Sequence, residues 1–196
     1  MSYLLDANVF MSAKNLHYGL DFCPAFWDWL VHKGNTGSVF SIDKVADEIE
    51  AGQDDLSDWT KIHGQALFRR TPPTRAPQFT HVSTWATGQQ YTPAAINTFL
   101  QAADFYLIAH ALAGDHVVVT HEVPSNSPGR IKIPNACVAL SGMALTLPAM
   151  HGHISEPAGE PVHEAPSTKG RVLVGAFAFE ARFVRVDAQP CIGRSR

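Results

Sequence analysis

The sequence predicts an α/β fold, a three-layer α/β/α sandwich with a central parallel sheet. Up to residue 150, short apolar runs alternate with longer amphipathic stretches, which is the pattern of strands separated by helices. The run HVVVT at residues 116–120 contains three β-branched residues in a row, as is typical of a strand buried on both faces of a parallel sheet. Residues 151–171 contain almost no large apolar residue, so the sheet and its helices are expected within residues 1–150.

The chain begins with a predicted strand, YLL at residues 3–5, which ends on Asp6 and is followed by a helix over residues 7–14. Residues 22–32 carry aromatic and aliphatic side chains at helical spacing and predict a second helix. The two helices therefore lie between the first strand and the next one.

A second short strand is predicted at residues 39–40. Ser41 follows it and can cap a helix that carries apolar residues on one face and ends at Gly52. The helical pattern repeats over residues 54–63, so two further helices follow the second strand.

The rest of this region begins with a loop, TPPTRAP at residues 71–77, because its prolines remove backbone donors and fix φ. Thr92 and Pro93 then open one long apolar helical region that ends on Gly114. Residues 116–120 form the clearest strand, and residues 143–147 predict a last one.

The remaining residues, 151–196, are predicted to be a separate, flexible C-terminal extension, because Pro, Gly, Glu and Ser dominate its first part. Within it, the run VLVGAFAFEARFVRV is either a strand or an aggregation-prone segment, with Leu173, Phe177, Phe179 and Val184 as its apolar residues. Both interpretations stay open on the sequence alone.

Composition excludes several classes of protein. A net charge of −3, from 15 Lys and Arg against 18 Asp and Glu, excludes a broadly basic nucleic-acid binder, but not a nuclease with an acidic site. Three cysteines without a C-x-x-C pair argue against a disulfide scaffold or a zinc ribbon. Without a cationic leader or an apolar run of about eighteen residues, we expect no signal peptide, no membrane span and a cytoplasmic location.

Acidic residues follow or flank the predicted strands. Asp6 ends the first strand, Glu122 follows the HVVVT strand, Glu48 lies on the helix after the second strand, and Asp104 opens a helix in QAADFYLIAHAL. Because ligands bind at the carboxyl ends of parallel strands, these four carboxylates can converge there. Oxygen ligands of this kind suit Mg²⁺ or Mn²⁺, which activates water and neutralises a scissile phosphodiester.

Each carboxylate also has a simpler structural interpretation. Asp6 and Asp104 can cap the helices that follow them, and Glu48 can be one solvated charge among several on its helix. Only the joint placement of the four acids at strand ends and helix starts favours a functional site.

Four motifs, YLLDANVF, VADEIEAG, AADFYLIAHAL and VVVTHE, together resemble the PIN-domain nucleases, the family that includes VapC-type toxins, over about residues 3–150. The resemblance implies a PIN-like sandwich in which four acids are catalytic and bind the metal, assisted by two polar residues. Those acids are Asp6, Glu48, Asp104 and Glu122, and the polar residues are Asn8 and Thr120. The fourth acid is Glu where the family more often has Asp.

The same resemblance implies a Mg²⁺- or Mn²⁺-dependent endoribonuclease that cleaves RNA phosphodiester bonds and is the toxin of a toxin–antitoxin pair. An antitoxin protein is then a partner, and a homodimer is left open. The alternative is a non-catalytic PIN-like module that binds nucleic acid or protein. A phosphatase that uses Asp6 as phosphoryl acceptor is disfavoured, because Asn8 stands where such enzymes need a second Asp.

Basic side chains in or near predicted loops, among them Arg130 and Lys132, can contact an RNA backbone. Surface solubility explains each of them equally well.

Overall fold

The computed structural model describes residues 2–72, 76–140, 144–146, 172–174 and 177–179. Its main sheet is built from β1 (Tyr3–Leu5), β2 (Val39–Ile42), β3 (Phe68–Arg69), β4 (Val117–Thr120) and β5 (Ala144–Thr146). All neighbouring strands are parallel, in the order β3-β2-β1-β4-β5. This confirms the predicted parallel sheet.

Helices connect and cover these strands. They are α1 (Ala7–Ser12), which continues as a π-helical turn (Ala13–His17), α2 (Pro24–Thr36), α3 (Asp43–Glu50), α4 (Asp55–Leu67), α5 (Ala76–Thr87), α6 (Pro93–Gln101), α7 (Ala103–Gly114) and α8 (Ile133–Leu140). All four residues of β2 are buried although alternate residues point to opposite faces, so both faces of the sheet are covered. The α/β sandwich predicted from the sequence is confirmed. None of the described helices is long and apolar enough to cross a membrane.

The direction in which strands are added reverses at β1. The chain runs outward from β1 through β2 to β3, and then returns to add β4 and β5 on the other side. Leu4 of β1 therefore lies between Phe40 and Val118, its register partners on the two neighbouring strands. In open parallel sheets the crevice at such a reversal, beyond the carboxyl ends of the strands, is where ligands bind. Here that crevice lies between the ends of β1 and β4.

Ser41 does not cap a helix, contrary to the prediction. The second strand extends to Ile42, so Ser41 lies inside β2, fully buried, and its hydroxyl donates a hydrogen bond of 2.6 Å to the carbonyl oxygen of Leu5. The helix begins only at Asp43. The serine ties the end of β2 to the end of β1, because a buried hydroxyl needs a hydrogen-bond partner.

Several helix boundaries also differ from the predictions. The apolar region from Thr92 to Gly114 is two helices, separated at Ala102, which has the extended φ and ψ of −79° and 157°. Helix α5 was not predicted. It begins at Ala76, so Pro77 belongs to its first turn, where a proline costs no hydrogen bond, whereas the sequence predicted a loop as far as Pro77. The short strand β3 and helix α8 were not predicted either.

Two short strands lie in the C-terminal part of the chain. β6 (Val172–Val174) and β7 (Phe177–Phe179) pair antiparallel, with Val172 opposite Phe179. The strand interpretation of this run is therefore confirmed for Leu173, Phe177 and Phe179. The predicted boundary at residue 150, the flexible extension and Val184 lie outside the described residues.

Candidate active site

Asp6 occupies the crevice at the carboxyl end of β1. Its backbone N–H donates to the carbonyl oxygen of Val119 at 3.0 Å, which extends the β1–β4 ladder by one residue and fixes the Asp6 backbone. Asp6 stands at the N-cap position of α1, but its side chain makes no capping hydrogen bond. Its carboxylate is buried, with the residue 4% exposed, and instead accepts a 2.8 Å hydrogen bond from the Thr120 hydroxyl. The simple capping interpretation is therefore wrong for Asp6.

Thr120, the last residue of β4, holds this carboxylate in place. Its hydroxyl oxygen accepts hydrogen bonds from the Asn8 amide and from the backbone N–H of Glu122, each at 3.0 Å. With one donor and two lone pairs, the hydroxyl is fully used. Asn8 in turn accepts from the backbone N–H of His121 at 2.9 Å. The structure thus brings both predicted polar residues to Asp6, where they fix its orientation and the loop after β4.

Asp104 lies in the first turn of α7, close enough to Asp6 for their charges to interact. Ala102, not Asp104, is at the N-cap position of that helix, so the capping interpretation is wrong here too. Burial, together with the negative charges of Asp104 and Glu122, raises the pKa of Asp6 to about 7. Burial, together with the negative charges of Glu122 and Glu48, raises the pKa of Asp104 to about 6. The four predicted acids therefore share one electrostatic environment.

Glu48 lies at the rim of this environment. It is an exposed residue of α3, a helix that packs against α7, and its charge raises the pKa of Asp104. Partial desolvation of its own carboxyl raises the pKa of Glu48. Glu48 is thus a solvent-accessible carboxylate near Asp104, in a position to exchange protons with water.

Glu122 differs from the other three acids. Its side chain is 10% exposed, and Oε1 accepts hydrogen bonds from Lys132 Nζ at 2.6 Å and Arg130 Nη2 at 3.3 Å. Oε2 accepts from the backbone N–H of Ile133, the first residue of α8, at 2.9 Å. Glu122 is the one acid of the four that forms an ion pair within the described residues. A direct ligand role for Glu122 stays a prediction, and it requires that one of these bonds be exchanged.

The donor chemistry fits a hard cation, although the acids do not form a closed metal cage. Among the described residues, no three His, Cys, Asp or Glu side chains are grouped closely enough to hold a metal ion. Mg²⁺ does not require such a group, because it keeps several of its waters and binds through one or two carboxylates together with substrate phosphate. Asp6 and Asp104 are two carboxylates of this kind, and both carry a raised pKa that a bound cation would lower.

Sequence reasoning missed two features of the site. The sequence indicates Lys132 and Arg130 only as RNA contacts or solubilising charges, whereas in the structure both form ion pairs with Glu122. Cys137 of α8 is buried next to this environment, and burial together with the charge of Asp104 raises its pKa to about 12. Its thiol therefore stays protonated at neutral pH and is a poor ligand.

Comparisons with known proteins give a family model and a similar solved structure. No curated protein matches the chain. The chain is similar, at 16% sequence identity and a TM-score of 0.45, to a chain in the crystal structure of VapBC2 from Rickettsia felis bound to a DNA fragment from their promoter. That similarity covers 62% of this chain and 89% of the other. A family model described as "Domain of unknown function (DUF4411)" matches residues 3–150, and the chain belongs to that family.

Proposed function

We propose that the chain is a Mg²⁺- or Mn²⁺-dependent endoribonuclease. The observation that carries this proposal is the proximity of buried Asp6 to Asp104 at the crevice where strand order reverses, while neither acid forms an ion pair with a Lys or Arg side chain of the described residues. A structural role does not explain this arrangement, because neither acid caps a helix and both have a raised pKa. Perturbed carboxyl groups in a crevice are typical of functional sites.

Asp6 and Asp104 would hold the metal ion, and Thr120 keeps the Asp6 carboxylate in the orientation that this requires. When bound, the ion supplies a Lewis acid that polarises the scissile phosphate and lowers the pKa of water. Glu48, exposed at the rim and with a raised pKa, would take the proton of the attacking water or serve as a further ligand. No side-chain nucleophile is needed.

The proposal of RNA as substrate, and of a role as the toxin of a toxin–antitoxin pair, rests on the sequence motifs that resemble VapC-type toxins. The acids make the crevice electronegative, so a basic side chain of an antitoxin protein can enter it and take the place of the metal. Expression of the chain alone should then slow growth, and co-expression of an adjacent reading frame should relieve it. Harmless expression would count against the toxin role and leave the nuclease proposal standing.

A cleavage assay on single-stranded RNA tests the nuclease proposal. We expect cleavage with Mg²⁺ or Mn²⁺, none with EDTA, and a loss on the order of 10³-fold in Asp6→Asn, because the amide keeps the shape and removes the charge. Asp28→Asn, at an exposed position of α2, is the matched control and should cleave like the wild type. Activity that survives EDTA, or an active Asp6→Asn variant, would overturn this mechanism.

The wild type and the Asp6→Asn variant also distinguish the enzyme from a non-catalytic binding module. A module that binds metal for structural reasons would show a Mn²⁺-dependent rise in melting temperature that Asp6→Asn abolishes, but no RNA cleavage. A nuclease should show both effects.

A further inference from the structure

A basic pair, Lys132 and Arg130, lies beside the carboxylates that we propose as metal ligands. Both side chains bind Glu122 Oε1, and both lie near enough to Asp104 to lower its pKa. Lys132 is the more enclosed of the two, with its side chain 22% exposed against 68% for Arg130. A positive charge is therefore built into one side of the acidic crevice.

The contacts of Glu122 oppose its use as a metal ligand. Its enclosed ion pair with Lys132 is reinforced by the backbone N–H of Ile133, so a metal that bound Glu122 would have to displace a cation already in contact with it. Separating one partner of an enclosed ion pair leaves an uncompensated charge and is costly. The structure thus favours Glu122 as the counter-ion of Lys132.

We propose that Lys132 supplies the positive charge that a second metal ion would otherwise bring, so that the site takes one divalent cation per chain and contacts the scissile phosphate through the Lys132 ammonium. The proposal deepens the nuclease function and rests on it. An ammonium group has three N–H donors, and the contact with Glu122 uses one of them. The others can bind phosphate oxygens, as lysine does in many phosphate sites.

Arg130 extends this contact outward. Because its side chain is largely exposed while Nη2 still contacts Glu122, its remaining N–H groups are available to a ligand that approaches from solvent. Lys132 is thus assigned to the reacting phosphate, and Arg130 to a neighbouring phosphate of the RNA backbone.

The number of Mn²⁺ ions bound to the full chain tests the proposal without reference to activity. By equilibrium dialysis we expect one ion per chain in the wild type. Lys132→Met keeps a long side chain but removes the closer and more enclosed of the two cations that contact Glu122, leaving Arg130 at 3.3 Å, and should create a second, weaker metal site there. The double variant Lys132→Met with Glu122→Gln should return to one ion.

Kinetics on a labelled single-stranded RNA oligonucleotide give the second readout. Lys132→Met should lower kcat on the order of 10²-fold, because a donor to the transition state is lost, with a smaller change in KM. Lys132→Arg keeps the charge and should recover most of that loss. The control is Lys61→Met, which removes an exposed lysine of α4 that pairs with Asp58 and should leave kcat unchanged.

The outcomes separate the two proposals. Two ions in the wild type, a count that stays at one in Lys132→Met, or an unchanged kcat in that variant would each overturn the role of Lys132 and leave the nuclease intact. No ion bound to the wild type would instead overturn the nuclease proposal itself. If Lys132→Met fails to fold, the number of Mn²⁺ ions bound to the wild type and the kinetics of Lys132→Arg still test the role of Lys132.

Discussion

Two aspartates of this protein stand at the same place in the local structure and do opposite things. Asp6 is at the N-cap position of α1 and Asp54 at that of α4. Asp54 forms an ion pair with Lys14 at 2.6 Å and accepts a hydrogen bond from the backbone N–H of Ser57. Both contacts lower its pKa. Asp6 caps nothing, is buried and lies near Asp104, and its pKa is raised. Position at a helix start therefore does not distinguish an acid that caps the helix from one that is buried beside another acid, whereas the hydrogen-bond partners of the acid do.

The largest effect that distinguishes the two aspartates is the pH dependence of stability in EDTA. The pKa of Asp6 is about 7 in the native state against an ordinary value of 3.8, so between these values the native state binds more protons than the unfolded state. The free energy of unfolding should therefore be highest near pH 4 and fall as pH rises through 7, by on the order of 2–4 kcal/mol. Asp54, with its lowered pKa, contributes in the opposite direction, and its stabilisation is lost as pH falls.

Denaturant unfolding at a series of pH values measures this slope. Asp6→Asn should reduce this slope to the part that Asp104 contributes and should stabilise the metal-free protein near neutral pH, while Asp54→Asn should leave the slope between pH 5 and pH 8 unchanged. Mg²⁺ or Mn²⁺ should restore stability to the wild type above pH 6, because a ligand that binds only the native state stabilises it. A wild type whose stability in EDTA does not fall from pH 5 to pH 8 would show that the surroundings of Asp6 do not raise its pKa.

A smaller effect is expected when Asp6 loses its one side-chain partner. Thr120→Val removes the hydroxyl that bonds Asp6, Asn8 and the N–H of Glu122, so three groups lose a partner at once. We expect a loss of about 1–3 kcal/mol in stability and a further rise in the pKa of Asp6. The pH profile of RNA cleavage should then shift to higher pH, whereas Thr120→Ser should behave as the wild type does. An unshifted profile in Thr120→Val would mean that Thr120 does not orient Asp6.

The smallest effect concerns Asp54. Asp54→Ala removes an N-cap and one exposed ion pair, and should cost about 1 kcal/mol in stability at neutral pH. RNA cleavage at saturating metal should not change. A loss of cleavage comparable to that of Asp6→Asn would mean that the two aspartates are not functionally distinct.

Residues of the candidate site could be predicted from the sequence where they end a strand, but not where their contacts are made by loops. Asp6 and Thr120 are recognisable because each closes a short apolar run, and parallel strands place such ends together. The sequence predicts Ser41 as a helix cap, but a serine between apolar residues fits a buried strand equally well. Its place in the strand depends on a hydrogen bond to the Leu5 carbonyl, 36 residues away.

The ion pairs of Glu122 are a stronger example of contacts that the sequence pattern does not predict. The chain between Glu122 and Lys132 has no helical or strand periodicity, so nothing in the pattern brings the two charges together. The loop is held at Glu122 by a hydrogen bond from the first residue of α8, a helix that was not predicted from the sequence. Charge pairing across such loops is decided by tertiary structure.

The bonds that organise the crevice join residues far apart in sequence: Asn8 and Thr120 are separated by 112 positions, and Asp6 and Thr120 by 114. During translation at about 5–20 residues per second, the strand that bears Thr120 emerges on the order of ten seconds after the strand that ends at Asp6. Pairings of such high contact order also form late in folding. A nascent chain therefore carries Asp6 for most of its synthesis without an assembled crevice, and the proposed nuclease activity would arise only after β4 has joined β1 at the centre of the sheet.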